Sequence, residues 1–307
     1  MAALLAMCFV AQQAEGDTNR ASGPSDPGAS AHRFGQALPL PEDTRVFRDL
    51  AYVSNGHPRQ RLDLYVPAQG GAHPLVIVIH GGAFMAGDKR GENVKQFLKA
   101  DYAVASLNYR LSGDALFPAA VEDCKSAVRW LRVNAAKYDL DAGRFGAWGS
   151  SAGGNLAAML GTTGETNLFD VGENLNVSSR VQAVADWFGP TDFLQMDDHR
   201  IPNGMTHDAA NSPESRYVGG PIQENKDKVA QADPITFITA RTPPFLIAHG
   251  DGDPLVPHHQ SVLLEAALKK AGVPVTLYTV KGAGHGFRDA TADKLLLEFF
   301  AKYLKVE

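Results

Sequence analysis

From residue 75 onward, short strand-like runs alternate with segments of helical spacing, and this rhythm constrains the fold more than any other property of the chain. Leu75–Ile79 reads LVIVI, a continuous apolar run without a polar face, which marks a strand buried on both sides. Further strand-like runs lie at Ala103–Leu107, Arg144–Trp148, Val181–Trp187, Pro244–Ala248 and Val275–Val280. Between two of them, Val121, Cys124, Val128 and Leu131 are spaced three, four and three apart within 118–136, which is the helical period. Glu92–Ala100, Ala152–Leu160, His258–Ala271 and Ala292–Leu304 also read as helices. Strands alternating with helices predict an α/β fold, a doubly wound and mostly parallel sheet covered on both faces. Upstream, Val46–Ser54 and Arg61–Val66 flank the turn residues Asn55-Gly56-His57-Pro58, which predicts an antiparallel N-terminal hairpin.

The 307 residues could hold one large domain or two. No internal repeat and no second core is visible, so 44–307 reads as one domain. Its rhythm breaks once. Residues 193–240 are polar and irregular, with Pro202, Pro213, Pro221 and Pro234, and are expected to form a structureless, lid-like insertion. Residues 16–43 are rich in Ala, Ser, Gly and Pro and read as a flexible leader. Before them, Met1–Val10 is apolar and too short to span a bilayer. Residues 1–15 resemble a secretory signal, although no Lys or Arg precedes Arg20. The expected location is secreted or periplasmic, with the cytoplasm as the alternative.

Charge and cysteine content narrow the function classes. Lys plus Arg is 29 and Asp plus Glu is 34, a net charge of −5, so neither nucleic acid nor an anionic membrane is expected as partner. Two cysteines, Cys8 and Cys124, cannot build a disulfide scaffold or a Cys-rich metal site. No phosphate-cradling glycine loop and no His spacing suited to a metal occurs, so the expectation is no cofactor and no metal.

Gly149-Ser150-Ser151-Ala152-Gly153 has the Gly-x-Ser-x-Gly spacing and joins a buried-type strand to a helix. A sharp turn there would expose Ser151 at a helix N-terminus, where developing negative charge is favoured. The plainer reading makes Ser151 a helix cap. His80-Gly81-Gly82-Ala83-Phe84 follows the LVIVI strand. Acyl transfer needs preorganised N–H groups at the carbonyl oxygen, and Gly81, Gly82 and Ala152 are the expected oxyanion donors. His80 is expected to brace that loop. A nucleophilic serine needs a base, and the base an orienting acid. His285 in a glycine-flanked loop and Asp253 in His249-Gly250-Asp251-Gly252-Asp253 both follow strands, in the chain order serine, acid, histidine. Asp192 is a rival acid, Asp251 is expected to hold its turn, and His258 and His259 to face solvent or cap a helix. Trp187, Phe188 and Phe193, with Met196 and Met205, are candidates for an apolar substrate pocket, although core packing explains the first two equally well.

Across residues 46–305 these motifs resemble an α/β-hydrolase esterase. The stretches HGGAF (80–84), NYRL (108–111), FPAAVED (117–123), GSSAGGN (149–155), GPTD (189–192), HGDGDPLVP (249–257) and GAGHGF (282–287) carry the resemblance. The chain is similar to the hormone-sensitive-lipase-like branch and especially to bacterial feruloyl and acetyl-xylan esterases. Ala83, where lipase-like families usually carry a third glycine, fits the latter better. The resemblance implies a triad of Ser151, Asp253 and His285 acting on short-chain or aromatic acyl esters, small or polysaccharide-linked. Two alternatives remain at this point: an amide hydrolase on the same triad, and a non-catalytic binding protein on the same fold. The oligomeric state is not legible.

Overall fold

A computed structural model describes residues 40–90 and 94–305. The signal-like segment and the leader up to residue 39 lie outside the described residues, as does the start of the helix expected from Glu92. Leu40 already packs against the folded core, a few residues before the expected boundary.

Eight strands form one sheet: β1 (Arg45–Ala51), β2 (Arg61–Val66), β3 (His73–Ile79), β4 (Ala103–Leu107), β5 (Leu140–Ser150), β6 (Ala183–Trp187), β7 (Phe245–Gly250) and β8 (Val275–Val280). Their order is β1-β2-β4-β3-β5-β6-β7-β8. The expected hairpin forms, with Phe47 opposite Leu64 and a bulge before Leu50. β2 is also antiparallel to β4, which places Leu62 opposite Leu107; every other neighbouring pair from β4 to β8 is parallel. A single reversed strand therefore joins the hairpin to the parallel array.

The LVIVI run explains how the layers assemble. Successive side chains of a strand point to opposite faces. Leu75, Ile77 and Ile79 enter one core with Val121, Val128, Leu156 and Leu264, beneath α2 (Ala119–Val133), α3 (Ala152–Thr162) and α6 (His259–Lys270). Val76 and Val78 enter a second core with Phe97, Leu296 and Phe300, beneath α1 (Lys95–Lys99) and α7 (Ala290–Leu304). All four residues of the predicted helical stripe on α2 are buried in the first core. Cys124 is one of them, and burial pushes its thiol pKa well up, which makes it a packing group.

The insertion is not structureless. It carries α4 (Pro213–Val218), α5 (Lys226–Ala232) and four short 3-10 turns. Ser212 caps α4 by accepting the Ser215 N–H, with Pro213 at the first helical position. Tyr217 of α4 stacks on Phe84, with ring centroids 3.9 Å apart, so the insertion is packed onto the loop after β3.

Candidate active site

The strand–turn–helix from β5 to α3 has almost no room for side chains. Ser151 takes φ +55° and ψ −125°, outside the ordinary regions for an L-residue, and its N–H is held by the Trp187 carbonyl at 2.8 Å. Strain of this kind persists only where the surroundings fix it. A Cβ on Gly153 would lie 2.1 Å from the Ile79 carbonyl oxygen, and one on Gly81 would lie 2.8 Å from the Ser150 oxygen. Neither position tolerates a side chain. The loop after β3 therefore lies directly against the serine turn.

His285 Nε2 is 3.0 Å from Ser151 Oγ, and His285 Nδ1 is 2.7 Å from Asp253 Oδ2. A carboxylate can only accept, so Nδ1 carries the proton and Nε2 accepts from the serine hydroxyl. Asp253 is held from several sides. Its Oδ1 accepts the N–H groups of Leu255 and Val256 at 2.8 and 3.0 Å. Buried His249 donates Nε2–H to the Val256 carbonyl at 2.9 Å and to Asp253 Oδ2 at 3.2 Å, while its Nδ1 accepts from Ser261 Oγ. Burial alone would raise the Asp253 carboxyl, but the bonds from His249 and His285 hold it well below the usual carboxylate range.

Asp192 does not meet His285. It accepts Leu194 N–H at 3.0 Å and Gln195 Nε2 at 2.5 Å, closing its own turn. Asp251 accepts the Gly282 N–H at 2.6 Å and thereby ties the β7 loop to the histidine loop. His80 is buried, stacks on Tyr109 at 4.5 Å and binds the Gly81 carbonyl at 2.7 Å; its pKa is pushed down to about 4, chiefly by burial. His258 occupies the N-cap position of α6 without a side-chain capping bond, its ring instead binding Thr279 Oγ1 at 2.9 Å, and His259 stacks on His199.

The N–H groups of Gly81, Gly82 and Ala152 have no hydrogen-bond acceptor among the described residues. Ala152 lines a small cavity with Ser151 and His285; Gly81 and Gly82 do not line it, but Ala83 and Phe84 after them do. The cavity measures about 70 Å³. Trp187, Phe188 and Phe193 are not in its wall, which corrects the expected substrate pocket. Trp187 packs edge-on against Trp148, Phe193 is fully buried in the first core, and Phe188 stands edge-on to His285 at 4.6 Å, backing the ring. Trp187 ends β6, Phe188 and Phe193 follow it, and all three are drawn into the packing around the sheet. Met205 does line the cavity, whereas Met196 is core. Sequence reasoning missed His207 and Glu214, which also line it. The Ser212-Pro213-Glu214 helix start was a legible signal for α4, but nothing local linked it to Ser151.

No group of three or more His, Cys, Asp or Glu among the described residues could hold a metal ion. No helix of the described residues is long and apolar enough to cross a membrane.

Residues 62–268 match the family model BD-FAE. The chain is 30% identical to Esterase LipQ of Mycobacterium tuberculosis, over 72% of this chain and 52% of LipQ. It thus spans about half the length of the curated relatives it first matches. Among solved structures it resembles a truncated form of a carbohydrate esterase from gut microbiota, with TM-score 0.79 and 35% identity over 87% of this chain and 99% of that one. It also resembles a bifunctional GH43-CE protein of Bacteroides eggerthii, with TM-score 0.77 and 36% identity, over 84% of this chain and 38% of that one.

Proposed function

Because the chain belongs to the BD-FAE family and has the α/β-hydrolase fold, we propose that it is a carboxylic-ester hydrolase working through Ser151, His285 and Asp253. The observation that carries this reading is the continuous relay from Ser151 Oγ to His285 Nε2 (3.0 Å) and from His285 Nδ1 to Asp253 (2.7 Å). Ser151 Oγ attacks the ester carbonyl carbon while His285 Nε2 takes its proton. Asp253 stays ionised, keeps the imidazole in the tautomer that accepts this proton, and stabilises the imidazolium that forms. The tetrahedral oxyanion is met by the unpartnered N–H groups of Ala152, Gly81 and Gly82, each contributing about 3–4 kcal/mol at the transition state. His285 then returns the proton to the leaving alcohol. Water, activated by the same nitrogen, releases the acid from the acyl-enzyme.

A cavity of about 70 Å³ is far smaller than the ~300–1,000 Å³ of sites that enclose drug-sized ligands. That size supports a short acyl group such as acetyl over a long chain. The carbohydrate esterase likeness supports a sugar or polysaccharide as the alcohol. Ser151→Ala should abolish turnover of 4-nitrophenyl acetate and labelling by a fluorophosphonate probe while circular dichroism is unchanged. Retained turnover in a folded variant would sink the proposal.

A further inference from the structure

The cavity holds a second histidine–carboxylate pair that the relay does not use. His207 Nδ1 lies 2.9 Å from Glu214 Oε2, and His207 is 1% and Glu214 4% exposed. His207 donates and the carboxylate accepts, because a carboxylate has no proton to give. Both residues line the same cavity as Ser151 and His285. The rest of that wall is largely apolar, including Phe84, Met205, Pro213 and Val256. His207 Nε2 is buried without a hydrogen-bond partner; Glu214 Oε1 is not one of the fully buried orphaned atoms, and no hydrogen bond reaches it among the described residues.

A pair buried this deeply is costly unless its remaining polar atoms find partners. The pair is also firmly mounted. Asp197 accepts the N–H groups of His207 and Asp208 at 2.7 and 3.0 Å, and Glu214 stands in the capped first turn of α4. Unsatisfied acceptors in a rigid mount, beside a nucleophile and in an otherwise oily wall, are the arrangement that selects a substrate carrying a hydrogen-bond donor.

Resting on the ester-hydrolase reading, we propose that Glu214, held by His207, accepts a hydrogen bond from a free hydroxyl on the alcohol moiety of the ester. An acetyl group carries no hydrogen-bond donor, so the hydroxyl belongs to the alcohol, a polyhydroxylated one such as a sugar ring. Glu214 is a specificity determinant and His207 its positioning residue. In Glu214→Gln the amide oxygen stays with His207 Nδ1–H, so the substrate hydroxyl exchanges a charged acceptor for a neutral N–H₂ donor and keeps only a weaker bond.

The test compares acetylated methyl xyloside, which has free hydroxyls, with tetrahydropyranyl acetate, the same ring without them, and with 4-nitrophenyl acetate. The wild type should favour the xyloside over its hydroxyl-free analogue by tenfold or more in kcat/KM. Glu214→Gln should shrink that preference to a few-fold or less, mainly through KM, by lowering kcat/KM more on the xyloside than on tetrahydropyranyl acetate or 4-nitrophenyl acetate. The substrate comparison on the wild type needs no variant, so a poorly folding Glu214→Gln does not protect the proposal. Equal turnover of both ring acetates by the wild type, or equal losses on all three substrates in a folded variant, would overturn it. A loss confined to methyl ferulate relative to methyl cinnamate would also overturn it, by moving the hydroxyl to the acyl side. No hydrolysis of any ester by the wild type would overturn the ester-hydrolase reading and this inference together; hydrolysis without discrimination overturns this inference alone.

Discussion

Two histidine–carboxylate pairs meet at one cavity, the first through His285 alone, and they are built to different ends. His285 and Asp253 come from the loops after β8 and β7, and the imidazole passes its second nitrogen to Ser151. His207 and Glu214 come from the insertion between β6 and β7, and that imidazole's second nitrogen has no partner. Asp253 receives two backbone N–H groups and two histidines, whereas Glu214 receives one hydrogen bond. On the proposed mechanism Asp253 must stay charged beneath a proton-shuttling imidazole, and it is surrounded by donors. Glu214, proposed to await a ligand, is left with an acceptor free. The difference lies in which atoms remain unsatisfied, not in residue type.

The largest predicted effect separates the pairs outright. Ser151→Ala removes the proposed nucleophile, whose hydroxyl only the first pair touches, and kcat on 4-nitrophenyl acetate should fall about 10⁴- to 10⁶-fold. Next, Asp253→Asn should lower kcat by about 10⁴, because the amide favours the wrong histidine tautomer. It should also remove a stabilisation that the wild type has above about pH 4, the unfolded carboxyl's range, and loses on acidification through its depressed folded value. Urea midpoints of wild type and variant at pH 3 and pH 7 would test this; an unchanged difference between the two pH values contradicts it.

A third carboxyl sharpens the comparison by having no histidine at all. Asp186, buried under the serine turn, accepts only the Gly189 N–H at 2.9 Å, and burial raises its pKa to about 7. Its folded-state pKa exceeds the unfolded one. Its contribution is therefore complete below about pH 4 and lost as pH rises through about 7. Asp186→Asn should flatten that decline, with a difference on the order of 3 kcal/mol between pH 4 and pH 8 in urea unfolding. A variant with the wild-type pH profile would contradict it. The smallest effect is the substrate-selective loss expected for Glu214→Gln. Unlike the Ser151 and Asp253 changes, it should fall more heavily on the hydroxyl-bearing ester than on its hydroxyl-free analogue.

These regions also differ in how far the chain alone announces them. Ser151, Asp253 and His285 each sit in a short glycine-marked loop at or just past the end of a strand-like run, so local pattern locates them. The strand runs and the stripe on α2 were legible for the same reason, since burial on a sheet imposes a period that a single segment displays. His207 lies in a polar stretch without period, and its meaning depends on Glu214, Met205 and Phe84 arriving from elsewhere. Trp187 and Phe193 illustrate the converse error. Their apolar character is plain, but whether an aromatic lines a cavity or fills a core depends on neighbours distant in sequence.

What the sequence determined by itself is the alternation of strands and helices, the steric need for glycine at the serine turn, and the loops that hold the relay residues. Those are consequences of backbone geometry and burial within a few residues. Tertiary structure alone decided the strand order, with β2 reversed between β1 and β4, and the packing of the insertion against Phe84. It also decided that the cavity is walled by a second histidine–carboxylate pair rather than by the aromatics at and after the end of β6. These depend on contacts between segments far apart in the chain, where the free energy of packing is shared among many partners and no single segment carries its signature.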